Sequence, residues 1–492
     1  MDMDDRKYIV CPQQLALGMK IQHRTYKSYN LRWFILLTVS LLALSNATIW
    51  IAFAPLHLAT TQFYRSENVS FWSSQIFQCV GIVCGGFGMY LTDRYGIRVS
   101  CICGCLFNFL GSAIRVLSSA PILSVDLRLP FLYTGQTVAA MAQPFFLCLS
   151  TKVAEQWYAE DQRALANALS FIANPLGVVV GSIAPVIFVS SNTEYTHETN
   201  DILILNTVLM ILALTVLLMC FGIRRSKPLT PPSASSECAS APPFFQGLLR
   251  LFMTPIFYIQ MITFGMAFAL QWSFFIISDK MLTHLNYNVT SYLMALSSIC
   301  GCCGCVVAGY IVDKTKKFKE TIKTCYICVA IFAVAINLVL RRQRDGVTDD
   351  VILVILLCLF GFFSIPVFPI SLELGVETTF PVAEATSSGV LIIAGQLLMF
   401  SVTFAMEGLQ SVDWLYSNLE TSTNSTFTRY SDLFDDNYHL SIDFWTGASI
   451  LAAFFTCLCL WPRYQRLEFE ERTAVYMETT TPQNGNNRPV AV

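Results

Sequence analysis

Residues 88–98 read GMYLTDRYGIR, and residues 309–317 read GYIVDKTKK. Each stretch closes a long apolar run and sets an acidic residue directly before a basic one. The two copies hold equivalent places in the two halves of the chain, so they predict two structural repeats. Internal symmetry of this kind is typical of helical membrane proteins whose two halves pack against each other.

The composition around these turns excludes a water-soluble protein. Of the 492 residues, 54% are hydrophobic and only 13% are charged, whereas a soluble domain carries about 25% charged residues. The formal net charge of -2 also excludes a polybasic nucleic-acid binder, so no nucleic-acid partner is expected. The chain is predicted to be a multi-pass membrane protein that is surrounded by the lipid bilayer.

Twelve apolar runs are long enough to cross a bilayer, for which a helix needs about 20 residues. The runs are continuous, whereas the strands of a β-barrel would alternate over short segments. The sequence therefore predicts an all-α membrane protein of twelve transmembrane helices in two six-helix, pseudo-symmetric bundles. The runs lie near residues 33–58, 71–91, 99–119, 131–151, 167–189, 203–222, 256–279, 291–312, 322–340, 351–372, 386–409 and 443–461.

A stretch rich in Ser, Pro and Ala separates the sixth run from the seventh and is typical of a flexible linker. Most of the 31 Lys and Arg residues fall on the side of this linker and of both tails. The positive-inside rule therefore places both termini in the cytoplasm. The predicted regions are an N-terminal tail at 1–32, bundles at 33–223 and 256–461, a linker at 224–255 and a C-terminal tail at 462–492.

Glycosylation sequons agree with this orientation. Asn68, Asn288 and Asn424 each begin an N-x-S/T triplet in a loop assigned to the other side of the membrane. Asn46 begins a fourth triplet, but it lies inside the first apolar run and should remain unmodified. We therefore predict glycans at Asn68, Asn288 and Asn424.

The 18 cysteines fall almost entirely inside apolar runs. Two clusters, Cys101-Cys103-Cys105 and Cys300-Cys302-Cys303-Cys305, have spacings that resemble metal ligands. Inside a membrane helix, cysteine more often serves as a small polarisable packing residue. The sequence therefore predicts neither a metal site nor a cofactor.

The two charged turns resemble the loop signature of the major facilitator superfamily, G-x-x-x-D-R/K-x-G-x-R/K. In the first copy Met89 stands where the first Gly belongs, whereas Gly309 keeps that place in the second. A helix-terminal Asp can bridge neighbouring helices, and breaking that bridge would bias one of two packings. The expected gating residues are Asp93, Arg94, Gly96, Arg98, Asp313 and Lys314, together with Glu373, Glu377 and Glu384 near the ends of the tenth and eleventh runs.

More specific motifs narrow the resemblance. Residues 46–55 read NATIWIAFAP, residues 174–178 read NPLGV, and residues 373–389 read ELGVETTFPVAEATSSG, with Gly395-Gln396 following. These stretches resemble solute carrier family 49, the relatives of the feline leukaemia virus subgroup C receptor. The resemblance covers nearly all the apolar runs but not the tails or the linker.

Transporters of this architecture bind substrate near the bilayer midplane, between the two halves. Strong charge is scarce at mid-span here, but aromatic rings are plentiful, including Trp50 in the first run and Trp272 and Phe275 in the seventh. An organic cation binds over aromatic faces and needs no counter-charge there. The alternative for these rings is ordinary packing against lipid or neighbouring helices.

The resemblance implies a more detailed site. The family's choline and ethanolamine carriers use a Trp on the first helix, a Tyr on the seventh, and a Gln on the fifth and eleventh. Trp50 and Gln396 match this set, Phe275 takes the place of the Tyr, and Asn174 lies beside Pro175, which stands where the fifth-helix Gln would be. The expected small-molecule site therefore consists of Trp50, Phe275, Gln396, Asn174 and Trp272.

These features predict a secondary transporter and not an enzyme. The expected function is facilitated diffusion of a choline- or ethanolamine-like cation by alternating access. The alternatives are a haem or porphyrin exporter, a proton-coupled symporter of another metabolite, and a receptor or scaffold that moves no solute. We expect a monomer in the plasma membrane, with an intracellular membrane as the alternative.

Overall fold

The protein is described by a computed structural model, which is almost entirely helical. Two of the predicted glycan sites, Asn288 and Asn424, lie outside the described residues. The structure describes residues 29–66, 68–159, 162–189, 195–230, 232, 243–284, 290–342, 346–422, 439–469 and 471.

The described residues form twelve membrane spans. The second and third spans share one helix, Val69–Ser119, which is broken at Gly96, so the described residues form 11 continuous stretches long and apolar enough to cross a membrane. Spans 1 to 6 form the N-terminal half and spans 7 to 12 form the C-terminal half. The other helices of the spans are Leu31–Ile51 (1), Val125–Ala140, Gln143–Phe146 and Leu149–Trp157 (4), Arg163–Phe188 (5), Tyr195–Cys220 (6), Pro255–His284 (7), Thr290–Thr315 (8), Phe318–Arg341 (9), Val347–Ser364 and Val367–Thr379 (10), Glu384–Ser422 (11) and His439–Cys459 (12).

The break between spans 2 and 3 depends on glycine. Gly96 has φ 82 and ψ -175, a combination that residues with a Cβ atom avoid. A Cβ atom there would also lie 3.0 Å from the side chain of Ser226. Gly96 therefore lets span 2 turn directly into span 3 at the charged signature.

Spans 4 and 10, which are equivalent in the two halves, are both interrupted and longer than predicted. Span 4 continues past its break to Trp157, and span 10 continues to Thr379. Pro144 and Pro366 lie at the two breaks, where a residue without a backbone N–H favours the start of a new helix. The apolar runs alone did not predict these extensions because each extension carries polar and acidic residues.

The two halves pack closely where span 2 meets span 11. A Cβ atom added at Gly81 would lie 2.2 Å from the side chain of Gln396, and one added at Gly389 would lie 2.2 Å from Met89. Small residues let helix backbones approach each other in this way. Spans 5 and 8 form the second contact between the halves, with Gly309 against Ala168.

Candidate functional site

An aromatic cluster joins the two halves where span 1 meets spans 7 and 10. The rings of Trp50 in span 1 and Trp272 in span 7 lie 5.4 Å apart, edge to face. Phe275 lies 5.8 Å from Trp272 on the same helix, and Phe368 of span 10 lies 6.3 Å from it. Three of the predicted site residues therefore come together, and Phe368 joins them.

The rings of this cluster are buried against one another. Trp50 is 4% exposed, and Trp272 and Phe275 are each 1% exposed. The indole N–H of Trp50 donates a hydrogen bond of 3.2 Å to the backbone carbonyl of Ser74 in span 2. This bond holds the edge of the Trp50 ring against span 2.

Gln396 lies in a separate cleft between spans 2, 4 and 11. Its Nε2 donates a hydrogen bond of 2.9 Å to Oε1 of Gln143 in span 4, whereas its Oε1 is buried with no partner among the described residues. The cleft leaves only about 10 Å³ of internal space, far less than the several hundred Å³ of most small-molecule sites. It is lined by Gly81, Gly85, Met89, Pro144, Leu147, Cys148, Gly389, Ile392, Ile393 and Gln396.

The predicted binding residues are thus divided between two places. Trp50, Trp272 and Phe275 form the aromatic cluster, whereas Gln396 lines the cleft. Asn174 is half-buried on span 5 and is not among the residues that line the cleft.

Three further glutamines belong to this region, and the prediction did not include them. Gln75 and Gln271 are completely buried, and neither end of either amide has a hydrogen-bond partner among the described residues. Gln78 is 1% exposed, and its Oε1 has no hydrogen-bond partner among the described residues. An unsatisfied buried polar group costs about 1–3 kcal/mol. These amides therefore require partners such as water or a polar ligand.

Two of these glutamines share helix faces with residues of the site, and Gln75 is adjacent in sequence to a residue that contacts it. Gln75 follows Ser74, the residue that accepts the Trp50 hydrogen bond. Gln78 precedes by one turn Gly81, which contacts Gln396. Gln271 shares a face of span 7 with Phe275, four residues further on. The sequence signal that could have identified these three residues is a glutamine in the middle of an apolar run.

At one end of the bundle the two signature aspartates contact the opposite half; we call it the signature end. Asp93 accepts a hydrogen bond from the hydroxyl of Thr386 in span 11. It also forms an ion pair of 2.8 Å with Lys152 of span 4. The Lys152 ammonium donates in addition to the backbone carbonyl of Thr92, at 2.7 Å.

Asp313 makes the equivalent contact from the other half. Its two carboxylate oxygens accept hydrogen bonds from the backbone N–H groups of Ala164 and Leu165, at 3.1 and 2.7 Å. These groups begin span 5, so the carboxylate satisfies a helix N-terminus and complements its positive dipole. Each aspartate therefore holds the first turn of a helix of the other half.

The basic signature residues lie apart from these contacts. Arg94 lies over the rings of Tyr90 and Tyr95. Arg98 donates a hydrogen bond of 3.3 Å to the backbone carbonyl of Arg224. Lys314 lies 4.6 Å above the ring of Tyr310.

A buried network of charges closes the same end. The guanidinium of Arg466 forms ion pairs with Glu373 and Glu377 of span 10, at 2.8 and 3.0 Å, and with Glu155 of span 4, at 3.0 Å. Glu155 is also paired with Arg163 of span 5, at 3.2 Å. All five side chains are only 2–4% exposed. Arg466 thus joins both halves from a segment that follows the last span.

The sequence does not single out Arg466, because it lies in the predicted C-terminal tail. The structure instead packs the beginning of that tail, including the helical turn at 465–469, against the bundle. The Leu467 backbone N–H donates a hydrogen bond of 3.3 Å to Glu377. Glu384, another predicted gating residue, begins span 11 and is half-buried.

The other end of the bundle is closed by aromatic rings. Phe404 of span 11 lies 5.7 Å from Phe71 and 6.1 Å from Trp72, both at the start of span 2. Both ends of the interface are therefore in contact, and the aromatic cluster lies enclosed between them.

Comparisons with known proteins agree with this architecture. A family model described as Major Facilitator Superfamily matches residues 35–403. Solute carrier family 49 member A3 of Xenopus tropicalis is 33% identical over 387 residues, which cover 77% of each protein. Choline/ethanolamine transporter FLVCR2 of Homo sapiens is 24% identical over 391 residues, which cover 78% of this chain and 72% of that protein.

Solved structures show the same fold. The proton:xylose symporter XylE bound to 6-bromo-6-deoxy-D-glucose matches with a TM-score of 0.69, covering 89% of this chain and 99% of that one. Its sequence identity is 14%, so the likeness concerns the fold alone.

Proposed function

Because the chain belongs to the major facilitator superfamily and, within it, to solute carrier family 49, we propose that this membrane transporter carries a small ethanolamine- or choline-like cation. The observation that carries the proposal is the contact between Trp50 and Trp272, one from each half. A cation that enters between these rings contacts both halves at once. Its binding therefore favours closure around it, as alternating access requires.

The charges of the described residues support a cation held by rings. Acidic residues of the spans gather toward the helix ends, where Asp93, Asp313 and Glu373 are already engaged by partners from the protein. Two aromatic faces supply about 0.5–2 kcal/mol each to a desolvated cation. The relative FLVCR2, a choline/ethanolamine transporter, makes the same ligand chemistry the first to test.

The unpartnered amides favour ethanolamine over choline. Gln75, Gln78, Gln271 and Gln396 each have a buried side-chain oxygen without a partner among the described residues. A primary ammonium has three N–H groups to donate to such oxygens, whereas a quaternary ammonium has none. Hydrogen bonds to charged groups are worth about 1.5–3 kcal/mol, so we expect ethanolamine to bind about tenfold or more tightly than choline.

The test is an uptake panel in cells that express the protein. Labelled ethanolamine, choline and a haem analogue are compared at matched surface expression, with vector-only cells as the background. We expect saturable ethanolamine uptake, weaker choline uptake and no haem-analogue transport. Saturable transport of the haem analogue alone would remove the organic-cation proposal.

We propose that the signature end faces the cytoplasm. Asn68 is exposed at the start of span 2, at the opposite end of the bundle. Asn46, in contrast, is buried and donates to Oδ1 of Asn108 at 2.8 Å and to the backbone carbonyl of Ala139 at 2.9 Å. This contrast in exposure supports glycosylation at Asn68 and none at Asn46.

The glycosylation prediction follows from this orientation. Glycosidase treatment is expected to increase the gel mobility of the wild type. Asn68→Gln should reproduce part of that shift, and replacing Asn288 and Asn424 by Gln as well should remove the rest. Asn46→Ser should leave glycosylation unchanged at matched expression. A glycosidase-sensitive band that persists in the triple variant would contradict the orientation.

We propose that the two signature aspartates stabilise the state in which the signature end is closed. Asp313→Asn keeps the shape of the side chain but leaves only one oxygen for the two N–H groups of span 5. Such a loss costs about 0.5–2 kcal/mol, so we expect uptake to fall severalfold while the protein still reaches the membrane. Asp93→Asn should act in the same direction. Lys314→Gln, whose side chain lies over Tyr310, is the matched comparison and should change uptake less.

A further inference from the structure

Three cysteine thiols converge inside the N-terminal half, on side chains that neither the aromatic cluster nor the charge network uses. Cys101 and Cys105 lie one turn apart on span 3, and Cys220 is the last residue of the helix of span 6. Their Sγ atoms all lie within 4.8 Å of one another. The three side chains are at most 1% exposed.

We propose that Cys101, Cys105 and Cys220 form a binding site for a soft, thiophilic metal ion, with Cu⁺ as the ion that the site suits. Thiolate sulfur is the ligand that selects Cu⁺ and Zn²⁺ over harder cations. Structural Zn²⁺ sites take four ligands, whereas three ligand groups meet here among the described residues. A three-thiolate site therefore favours Cu⁺.

The spacing of the sulfurs fits such an ion. A metal–sulfur bond of about 2.3 Å puts the sulfurs of a trigonal site about 4 Å apart. The three thiols, already within 4.8 Å of one another, need only a small inward movement. Cys220 has the freedom to make it, because its helix ends there and residues 221 and 222 are exposed.

Helical spacing alone does not explain the convergence. Cys103 lies between the two span 3 ligands in sequence, yet it falls on another face of the helix and is half-buried. The third thiol comes from a different span, 115 residues after Cys105. Packing requires only small side chains here, whereas this placement brings three sulfur atoms to one point.

The charge of the site is partly balanced. Each thiol that ligates the ion releases its proton to solvent, so three thiolates and one Cu⁺ leave two negative charges. Arg98 lies one turn before Cys101 on span 3 and donates to the backbone carbonyl of Arg224, just beyond Cys220. The positively charged guanidinium of Arg98 is therefore bonded to the segment that follows Cys220, the third ligand.

A metal bound here would tie span 3 to the end of span 6, where the linker between the halves begins. This role is independent of the proposed substrate, because none of the three cysteines lines the cleft or the aromatic cluster. The ion would fix the start of the linker on the N-terminal half. Loss of the ion should therefore lower the thermal stability of the protein without changing which solute it carries.

The test uses purified full-length protein, reduced and kept without oxygen. Cu⁺ is supplied from a bicinchoninate buffer, and the copper retained per chain is measured together with X-ray absorption at the copper edge. We expect one tightly held Cu⁺ with three sulfur neighbours at about 2.3 Å. Outer-sphere changes at metal sites already weaken binding by about 10–100-fold, so Cys220→Ala should weaken binding at least 100-fold.

The matched control is Cys103→Ala, on the same helix and outside the cluster, which should retain the tight copper. Cys105→Ser provides a second ligand variant, and the absorption spectrum of the wild type needs no variant at all. Copper retention by Cys220→Ala equal to that of the wild type would overturn the proposal. A four-coordinate Zn²⁺ site would overturn the assignment to Cu⁺. A disulfide between Cys220 and a span 3 cysteine in thiol-trapped cells would overturn the metal site altogether.

Discussion

Arg466→Gln is expected to open the signature end and to remove most transport activity. Arg466 forms ion pairs with Glu155, Glu373 and Glu377, so its loss removes one positive charge from a group of three buried carboxylates. Removing one partner of a buried ion pair costs about 3–5 kcal/mol. That cost falls on the state in which this end is closed, and it shifts the balance by more than about 100-fold.

Cys148 reports this opening directly. It lines the cleft beside Gln396 and is only 1% exposed in the closed state. Its rate of maleimide labelling, followed by peptide mapping, should rise by at least about tenfold in Arg466→Gln, while ethanolamine uptake falls by a similar factor. Peptide mapping resolves this thiol from the other cysteines.

Two further variants separate the ion pairs from general damage. Arg463→Gln removes the same side chain from an exposed position three residues earlier, and it should leave labelling and uptake as in the wild type. Glu377→Gln combined with Arg466→Gln should restore part of the activity, because it lowers the excess of negative charge. Equal labelling of Cys148 in Arg466→Gln and the wild type would remove the role we assign to Arg466.

Trp50→Ala is expected to weaken substrate binding by about 5- to 30-fold. The substitution removes one ring face, and a desolvated cation–π contact of about 1–2 kcal/mol corresponds to that range. Trp50→Phe should recover part of the loss because it restores a weaker face. The measurement is the apparent KM for saturable ethanolamine uptake at matched surface expression.

The control for this prediction is Trp461→Ala. Trp461 is exposed after the last span and lies near the ammonium groups of Lys319 and Lys323, at 4.7 and 3.9 Å from its ring centre. Its loss should leave the apparent KM unchanged. Phe275→Tyr tests the same site in the opposite direction. It adds the hydroxyl that the family's choline and ethanolamine carriers have at this place, and it is expected to raise choline uptake. An unchanged KM in Trp50→Ala would show that this ring only packs.

Much of the fold could be predicted because it depends on which segments are long and apolar enough to cross the membrane. Apolar runs give the number of spans, and the duplicated signature gives the two halves. The contact between Trp50 and Trp272 also follows from symmetry, since spans 1 and 7 are equivalent. Asp93 and Asp313 likewise reach equivalent helix starts, at Thr386 and Ala164.

The remaining contacts depend on the rotation of each helix, which a single sequence does not fix. Lys152 is the cation partner of Asp93, although Arg94 is adjacent to Asp93 in sequence. Arg466 reaches the bundle from a polar tail, where composition predicts only solvent exposure. The buried glutamines Gln75 and Gln271 stand out in apolar runs, but only packing reveals that their amides have no partner among the described residues.

The most direct test of the account is flux through the purified protein. Protein reconstituted in liposomes, without any other membrane component, is given labelled ethanolamine on one side, and counterflow is measured against liposomes that contain Trp50→Ala. We predict saturable counterflow by the wild type that unlabelled ethanolamine competes away more effectively than choline does, with a strongly reduced apparent affinity in the variant. Equal labelling of protein-free and wild-type liposomes for both amines would contradict the account.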